Sequence, residues 1–193
     1  MCMPLSPMDK CRQESLFQAM ACPDFYPHPV RQVTQAETHI SKVFLTGDHV
    51  YKIKKAVDLG FLDFSSLAKR RRYCKLEVTL NRRLTHQVYL GVIPITCADD
   101  RFYLSGPGRE VEFAVCMRQL PEDRSLAVLI EQDRITVEQI EALALILTDF
   151  YLRQGRVSRE RAAASWENVR TACEENFNKT KWAEGNILDA QLY

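Results

Sequence analysis

No apolar run in this sequence approaches the ~20 residues that a membrane-spanning helix needs. The longest strongly apolar stretch, Ala142 to Leu147, is six residues. The opening MCMPLSPMDK has no long apolar core, which argues against a signal peptide. The seven cysteines (Cys2, Cys11, Cys22, Cys74, Cys97, Cys116, Cys173) include no CxxC pair, so zinc-ligand spacing is missing. Their odd number suits reduced thiols, and a cytoplasmic location is the expectation. The sequence also lacks an internal repeat, a low-complexity tract and a GxxxxGKS or GxxxxGKT run to cradle phosphates. Histidine is absent after His86. Charge of one sign is not in excess either: 26 Lys and Arg against 25 Asp and Glu leave +1, so whole-chain electrostatics selects no partner.

What is present is an ordinary globular composition. The 193 residues, 46% hydrophobic and 26% charged, suffice for one compact domain or two small ones with a real core. The charge is nevertheless segregated. Residues 51–86 hold ten Lys or Arg against Asp58, Asp63 and Glu77, a local +7, while the rest of the chain carries −6. Such polarity suits nucleic acid, an acidic surface or a phosphorylated ligand. Within it, Lys69-Arg70-Arg71-Arg72 with Lys75, Arg82 and Arg83 covers successive positions and so encircles a helix instead of forming one face. That arrangement favours a solvated helix surface over a nucleic-acid patch.

Five of the eight prolines fall in the first 29 residues, so residues 1–30 are expected to be a loosely structured segment around a short helix near Glu14–Ala21. Val43-Phe44-Leu45 and Val50-Tyr51-Lys52-Ile53 read as strands joined through Thr46-Gly47-Asp48-His49, because a tight hairpin turn needs a residue comfortable at positive φ. A strand around Gln32–Thr38 would complete a meander. Ser65-Ser66-Leu67 starts a helix expected to run to about Leu84. Gly91–Ile93 and Arg101–Leu104 read as further strands, broken by Pro94 and the Asp99-Asp100 turn. After the loop Ser105–Gly108, Val111–Met117 reads as a strand that Pro121 ends. Helices alone follow: Leu126–Gln132, then Val137–Gln154 with Thr136 and Gln139 in capping-box spacing, then Ser165–Phe177. In the second of these, Ile140, Leu143, Leu147 and Phe150 recur at helical spacing as a core stripe. Strands gathered ahead of helices imply an α+β fold: an antiparallel sheet carrying one helix, followed by a helical part.

The helix of residues 65–84 holds one acid among basic charges. At 100° per residue, Tyr73, Glu77, Leu80 and Leu84 share one side, bordered by Cys74. A carboxylate on an apolar stripe must be paired or sit at a cleft. Arg70 or Arg82 is the ordinary partner. The strand before it offers another, since alternation puts Val50, Lys52 and Lys54 on one face and Tyr51 and Ile53 on the other. A covered lysine with an inward glutamate can neutralise nucleotide phosphates, the carboxylate holding the ammonium in place. The plain alternative for Lys52, Lys54 and Lys55 is an exposed basic strand end.

The stretch THISKVFLTGDHVYKIKKAVDLGFLDFSSLAKRRRYCKLEVTLNRRL, followed by VYLGVIPI, resembles the N-terminal part of a bacterial aminoglycoside phosphotransferase-like family. In many of its members a kinase-like domain precedes a P-loop ATPase domain. The likeness covers most of residues 30–180. It implies a kinase-like small lobe over residues 31–120 and the first helices of a truncated large lobe over residues 121–193. It also implies ATP as the bound nucleotide, held weakly or not at all by this chain alone, with Mg in the complete enzyme, and an unknown small-molecule hydroxyl as phosphate acceptor. Lys52 then resembles the strand-three lysine on the phosphates, ahead of Lys54, and Glu77 resembles its helix partner. Thr38-His39-Ile40-Ser41 takes the place of the phosphate-covering loop. It has no glycine, so contact would come from backbone N–H groups and the Thr38 or Ser41 hydroxyl. Met117-Arg118-Gln119-Leu120-Pro121 resembles the hinge between lobes, with Met117 guarding the back pocket and Arg118 and Leu120 offering backbone groups to adenine.

The family's HGDLHxxN-like catalytic loop has no counterpart here. Asp149-Phe150-Tyr151 lies inside an amphipathic helix and reads as part of it. No catalytic residue or metal ligand is therefore assigned, and the expectation is an ATP-binding half without its catalytic loop, inactive alone. The alternative is a noncatalytic nucleotide-binding or protein-interaction module. Uncovered helix faces such as Ile140, Leu143 and Leu147 would then drive self-association.

Overall fold

The computed structural model describes residues 7–155 and 158–180. They divide into two compact units between Ile135 and Thr136. The first unit begins with α1 (Pro7–Met20), followed by strands β1 (Thr34–Glu37), β2 (Ser41–Leu45) and β3 (His49–Lys54). Helix α2 (Leu67–Asn81) leads to β4 (Tyr89–Ala98), β5 (Arg101–Leu104), β6 (Arg109–Arg118) and the short α3 (Leu126–Glu131). The second unit holds α4 (Val137–Arg153) and α5 (Arg159–Thr180).

The strands form one antiparallel six-stranded sheet in the order β1-β2-β3-β6-β4-β5. The fold is thus mixed α+β, with β6 inserted between β3 and β4. The β2–β3 hairpin turns at Gly47, whose φ of 100° favours glycine. Thr46 closes the turn by donating its N–H to the His49 carbonyl at 2.9 Å. Asp99 and Asp100 both have positive φ in the β4–β5 turn, a conformation that Asp tolerates better than most side chains. Ser66 caps α2 by accepting from the Lys69 N–H at 3.3 Å. At the other end, Arg82 donates to the carbonyls of Tyr89 and Leu90, tying the helix to the strand that follows.

The register sorts the side chains between two faces. Phe44 pairs with Tyr51, which pairs with Cys116, and Ile53 pairs with Ala114. These residues share a buried cluster with Leu16, Phe17 and Met20 of α1 and with Tyr26. The opposite face carries Phe113 and Val115, which bury against Cys74 and Val78 of α2.

Several expectations are corrected. The proline-rich start is not loose over its described part, because α1 supplies Leu16, Phe17 and Met20 to the main core and Tyr26 donates to the Met20 carbonyl at 2.6 Å. Pro7 stands at the first position of α1, where its missing N–H costs nothing; the prolines bracket this helix without interrupting it. Pro94 does not break its strand, since β4 runs on to Ala98. Pairing with β5 begins only at Ile95, so Pro94 sits where one flank of β4 has no ladder to donate to. The buried face of α2 is Arg70, Cys74 and Val78, with Leu80 and Leu84 exposed; the helix is rotated from the expected Tyr73–Glu77–Leu80–Leu84 stripe. In α4 the capping box forms as expected. Its Ile140, Leu143 and Leu147 nonetheless stay exposed, and no residue of α4 is buried.

Candidate functional site

Glu77 sits on α2 one turn beyond Tyr73 and looks toward β3. Its Oε1 accepts from Lys52 Nζ at 2.9 Å and its Oε2 from Lys54 Nζ at 2.6 Å. The side chains of Glu77, Lys54 and Lys52 are 14%, 6% and 30% exposed. One carboxylate thus bridges two ammoniums, one of them reachable by solvent. Strand alternation places both lysines on the α2 side of the sheet, and the helical repeat brings Glu77 above them. Lys54 also lies 5.0 Å from the centre of the Phe64 ring, which stabilises a cation that burial would otherwise disfavour.

Burial alone would push the Glu77 carboxyl up. Hydrogen bonds from Lys54 and Lys52, with their charges, outweigh it and hold Glu77 below the usual carboxylate range. The ionised form of Glu77 is thus the favoured one between the two lysines. Next to it, burial pushes the Cys74 thiol up to about 12, so Cys74 is a packing residue and no nucleophile.

Neither arginine considered as the partner of Glu77 fills that role. Arg70 bonds Glu112 through Nε at 3.0 and 2.8 Å, and Arg82 bonds backbone carbonyls. The exposed-strand-end reading fails for Lys54, which is buried. Lys55 instead pairs with Glu37. Lys54 shares Glu77 with Lys52, an arrangement in which both lysines meet one carboxylate. The alternation that selected Lys52 selects Lys54 equally, and the missing signal was that Glu77 has two oxygens to share.

Of the other sequence-selected residues, Ser41 and Met117 share the sheet face of Lys52, Arg118 pairs with His49 on the opposite face, and Thr38 and Leu120 lie outside the strands. Ser41 pairs with Lys54 and Met117 with Val50, so they bracket Lys52. The Thr38–Ser41 turn closes on itself: Thr38 N–H donates to the Ser41 carbonyl at 2.9 Å, and Thr38 Oγ1 accepts from Ser41 N–H at 3.0 Å. Ser41 Oγ is buried with no hydrogen-bond partner among the described residues. In the hinge-like segment the Arg118 N–H is already engaged by the Val88 carbonyl at 2.8 Å. Gln119 joins this segment to the hairpin, donating its N–H to the Asp48 carbonyl and accepting from Gly47 N–H, both at 2.9 Å. Leu120 is exposed.

The partly exposed Lys52 ammonium suits an anion such as a nucleotide phosphate. Among the described residues no group of three or more His, Cys, Asp or Glu side chains could hold a metal ion. No described helix is long and apolar enough to cross a membrane.

No family model matches this chain, and no solved structure matches it. Curated relatives do. Uncharacterized protein Rv2004c of Mycobacterium tuberculosis and uncharacterized protein Mb2027c of Mycobacterium bovis are each 34% identical to it over 133 residues. The match takes in 67% of this chain and 25% of each relative. The chain therefore spans about a quarter of the length of the curated relatives it matches.

Proposed function

We propose that residues 31–120 are the nucleotide-binding small lobe of an aminoglycoside phosphotransferase-like kinase, with Lys52 on the ATP phosphates and Glu77 holding it. The observation that carries this reading is the 2.9 Å Lys52–Glu77 pair joining β3 to α2. Composition does not require such a pair, and the family resemblance does. Two further features support it. Lys52 lies on one sheet face between Ser41, from the turn that would cover phosphates, and Met117, from the hinge-like strand end. Lys54 takes the second oxygen of Glu77, so the carboxylate stays anchored when a phosphate draws Lys52 away.

The complete enzyme would transfer the ATP γ-phosphoryl group to a small-molecule hydroxyl. This chain's residues bind and orient the phosphates; its sequence contains no HGDLHxxN-like loop to supply the base. Calorimetric titration of ATP tests the reading. The wild-type chain should bind, and Lys52→Ala should weaken binding about tenfold or more, the value of one charge-assisted contact at roughly 1.5 kcal/mol. Equal affinities, or no binding by either, would end the nucleotide reading.

Helix α4 supports a second reading, an interaction module that self-associates. Leu145 and Leu152 are 70% and 80% exposed, with Val137 and Tyr151 close behind, an unusual density of solvated apolar surface for one helix. Light scattering across a dilution series should then show a mass that rises with concentration. A constant monomer mass would remove it.

A further inference from the structure

The strand that carries both lysines loses its neighbour just where they end. Pairing between β3 and β6 stops at Ile53↔Ala114, leaving the Lys54 carbonyl and the Ala56 N–H beyond that ladder. A side chain of α1 takes over. Gln13 Nε2 donates to the Lys54 carbonyl at 2.9 Å, and Gln13 Oε1 accepts from the Ala56 N–H at 2.9 Å. A primary amide carries the same donor and acceptor as a peptide unit, so Gln13 substitutes for one further residue of strand.

The same amide reaches α2 by a second route. Gln13 Nε2 also donates to Glu112 Oε2 at 2.9 Å. Glu112 accepts from Arg70 Nε and from the Phe113 N–H at 3.0 Å. Arg70 Nη1 in turn donates to the Phe64 carbonyl at 3.0 Å and the Ser65 carbonyl at 3.2 Å. Gln13, Glu112 and Arg70 are all buried. Arg70 and Glu77 lie seven residues apart on α2, two turns along one face. One residue of α1 therefore fixes the end of β3 directly and the rotation of α2 through Glu112 and Arg70, yet touches neither Lys52 nor the Glu77 side chain.

We infer that Gln13 is a positioning residue, and α1 an in-chain clamp, that sets Glu77 opposite Lys52 and Lys54. The inference rests on those three residues being the working site. It also assigns a task to the N-terminal segment: whatever displaces α1 releases the lysine–glutamate pair.

The test follows the Glu77 carboxyl in the 193-residue chain by carbon-detected NMR titration, with Glu77→Gln identifying its signal. Gln13→Met keeps the volume and removes all three hydrogen bonds. It should raise the Glu77 midpoint by about 0.5–1 pH unit, a three- to tenfold loss of preference for the charged pair, and should speed amide exchange at Ala56. Gln13→Glu keeps an acceptor for Ala56 but loses both donations and sets a carboxylate against Glu112 and the Lys54 carbonyl, so it should raise Glu77 at least as much. Melting temperature alone does not decide, since any core change lowers it. A lowered melting temperature with Glu77 unmoved in either folded variant overturns the clamp, as does loss of fold in both. The titration needs no nucleotide. If wild type fails to bind ATP, the kinase reading falls while a displaced Glu77 still supports the clamp. If ATP binds wild type and Gln13→Met equally and Glu77 stays put, the clamp falls and the kinase reading stands.

Discussion

The two faces of the sheet are built to different rules. The face under α1 is covered by Leu16, Phe17, Met20, Phe44, Tyr51 and Ile53, a continuous apolar and aromatic layer. The face under α2 has a smaller apolar patch of Cys74, Val78, Phe113 and Val115, and beside it Lys52, Lys54 and Glu77. Hydrophobic burial holds the first face and needs no particular geometry. The second carries charges out of water, which succeeds only when each has its partner within hydrogen-bond reach. One sheet thus keeps an apolar layer on one side and a buried cluster of charges on the other.

The sharpest way to break this contrast is to damage the α1 face. Phe44 is fully buried, and Phe44→Ala should cost about 3–5 kcal/mol. Urea denaturation should show the loss, with the effect on ATP affinity limited to the fraction unfolded. On the other face, Glu77→Ala strands the buried Lys54 ammonium and should cost about 3 kcal/mol. The double variant Lys54→Met with Glu77→Leu should recover most of that, since an apolar pair needs no partner. Recovery of stability without recovery of ATP binding would separate the roles of the two faces.

Acid should discriminate next. Because its folded carboxyl titrates below the usual value, Glu77 adds stability above the ordinary carboxylate value of 4.5, and that contribution is lost as pH falls through the lowered value. Urea midpoints from pH 7 down to pH 3 should fall less steeply in Glu77→Gln than in wild type, and Phe44→Leu should keep the wild-type slope. The smallest effect concerns thiols. Cys22 and Cys173 are exposed and Cys74 is buried, with its thiol raised to about 12. Mass spectrometry after brief alkylation should find Cys22 and Cys173 modified and Cys74 intact.

Much of the strand framework was legible in local pattern. The hairpin at Gly47, the Asp99-Asp100 turn and the Thr136–Gln139 capping box each depend on a few adjacent residues, and each forms where expected. Errors arose where distant chain mattered. Pro94 looked like a break because its tolerance depends on where β5 stops pairing. The sequence puts the α2 stripe at Tyr73, Glu77, Leu80 and Leu84, whereas the structure buries Arg70, Cys74 and Val78, because Glu112 and the Phe64 and Ser65 carbonyls take the N–H groups of Arg70. At the site, Lys52 and Glu77 were readable because strand and helix periods each pointed one residue inward. The shared use of Glu77 by Lys54 and the contacts of Gln13 are not legible in sequence, since each depends on a partner more than twenty residues away.

The sequence by itself determined the α+β order of elements, the alternation that puts two lysines on one face of β3, and the lone acid of α2. These follow from periods of two and 3.6 residues and from turn chemistry, which act within a few positions of the chain. The tertiary structure alone decided that α1 supplies core, that Glu77 bridges both lysines, and that Gln13 finishes the strand carrying them. Those outcomes depend on which buried polar group finds which partner. That choice is made only when water has been excluded and an unpaired group becomes costly.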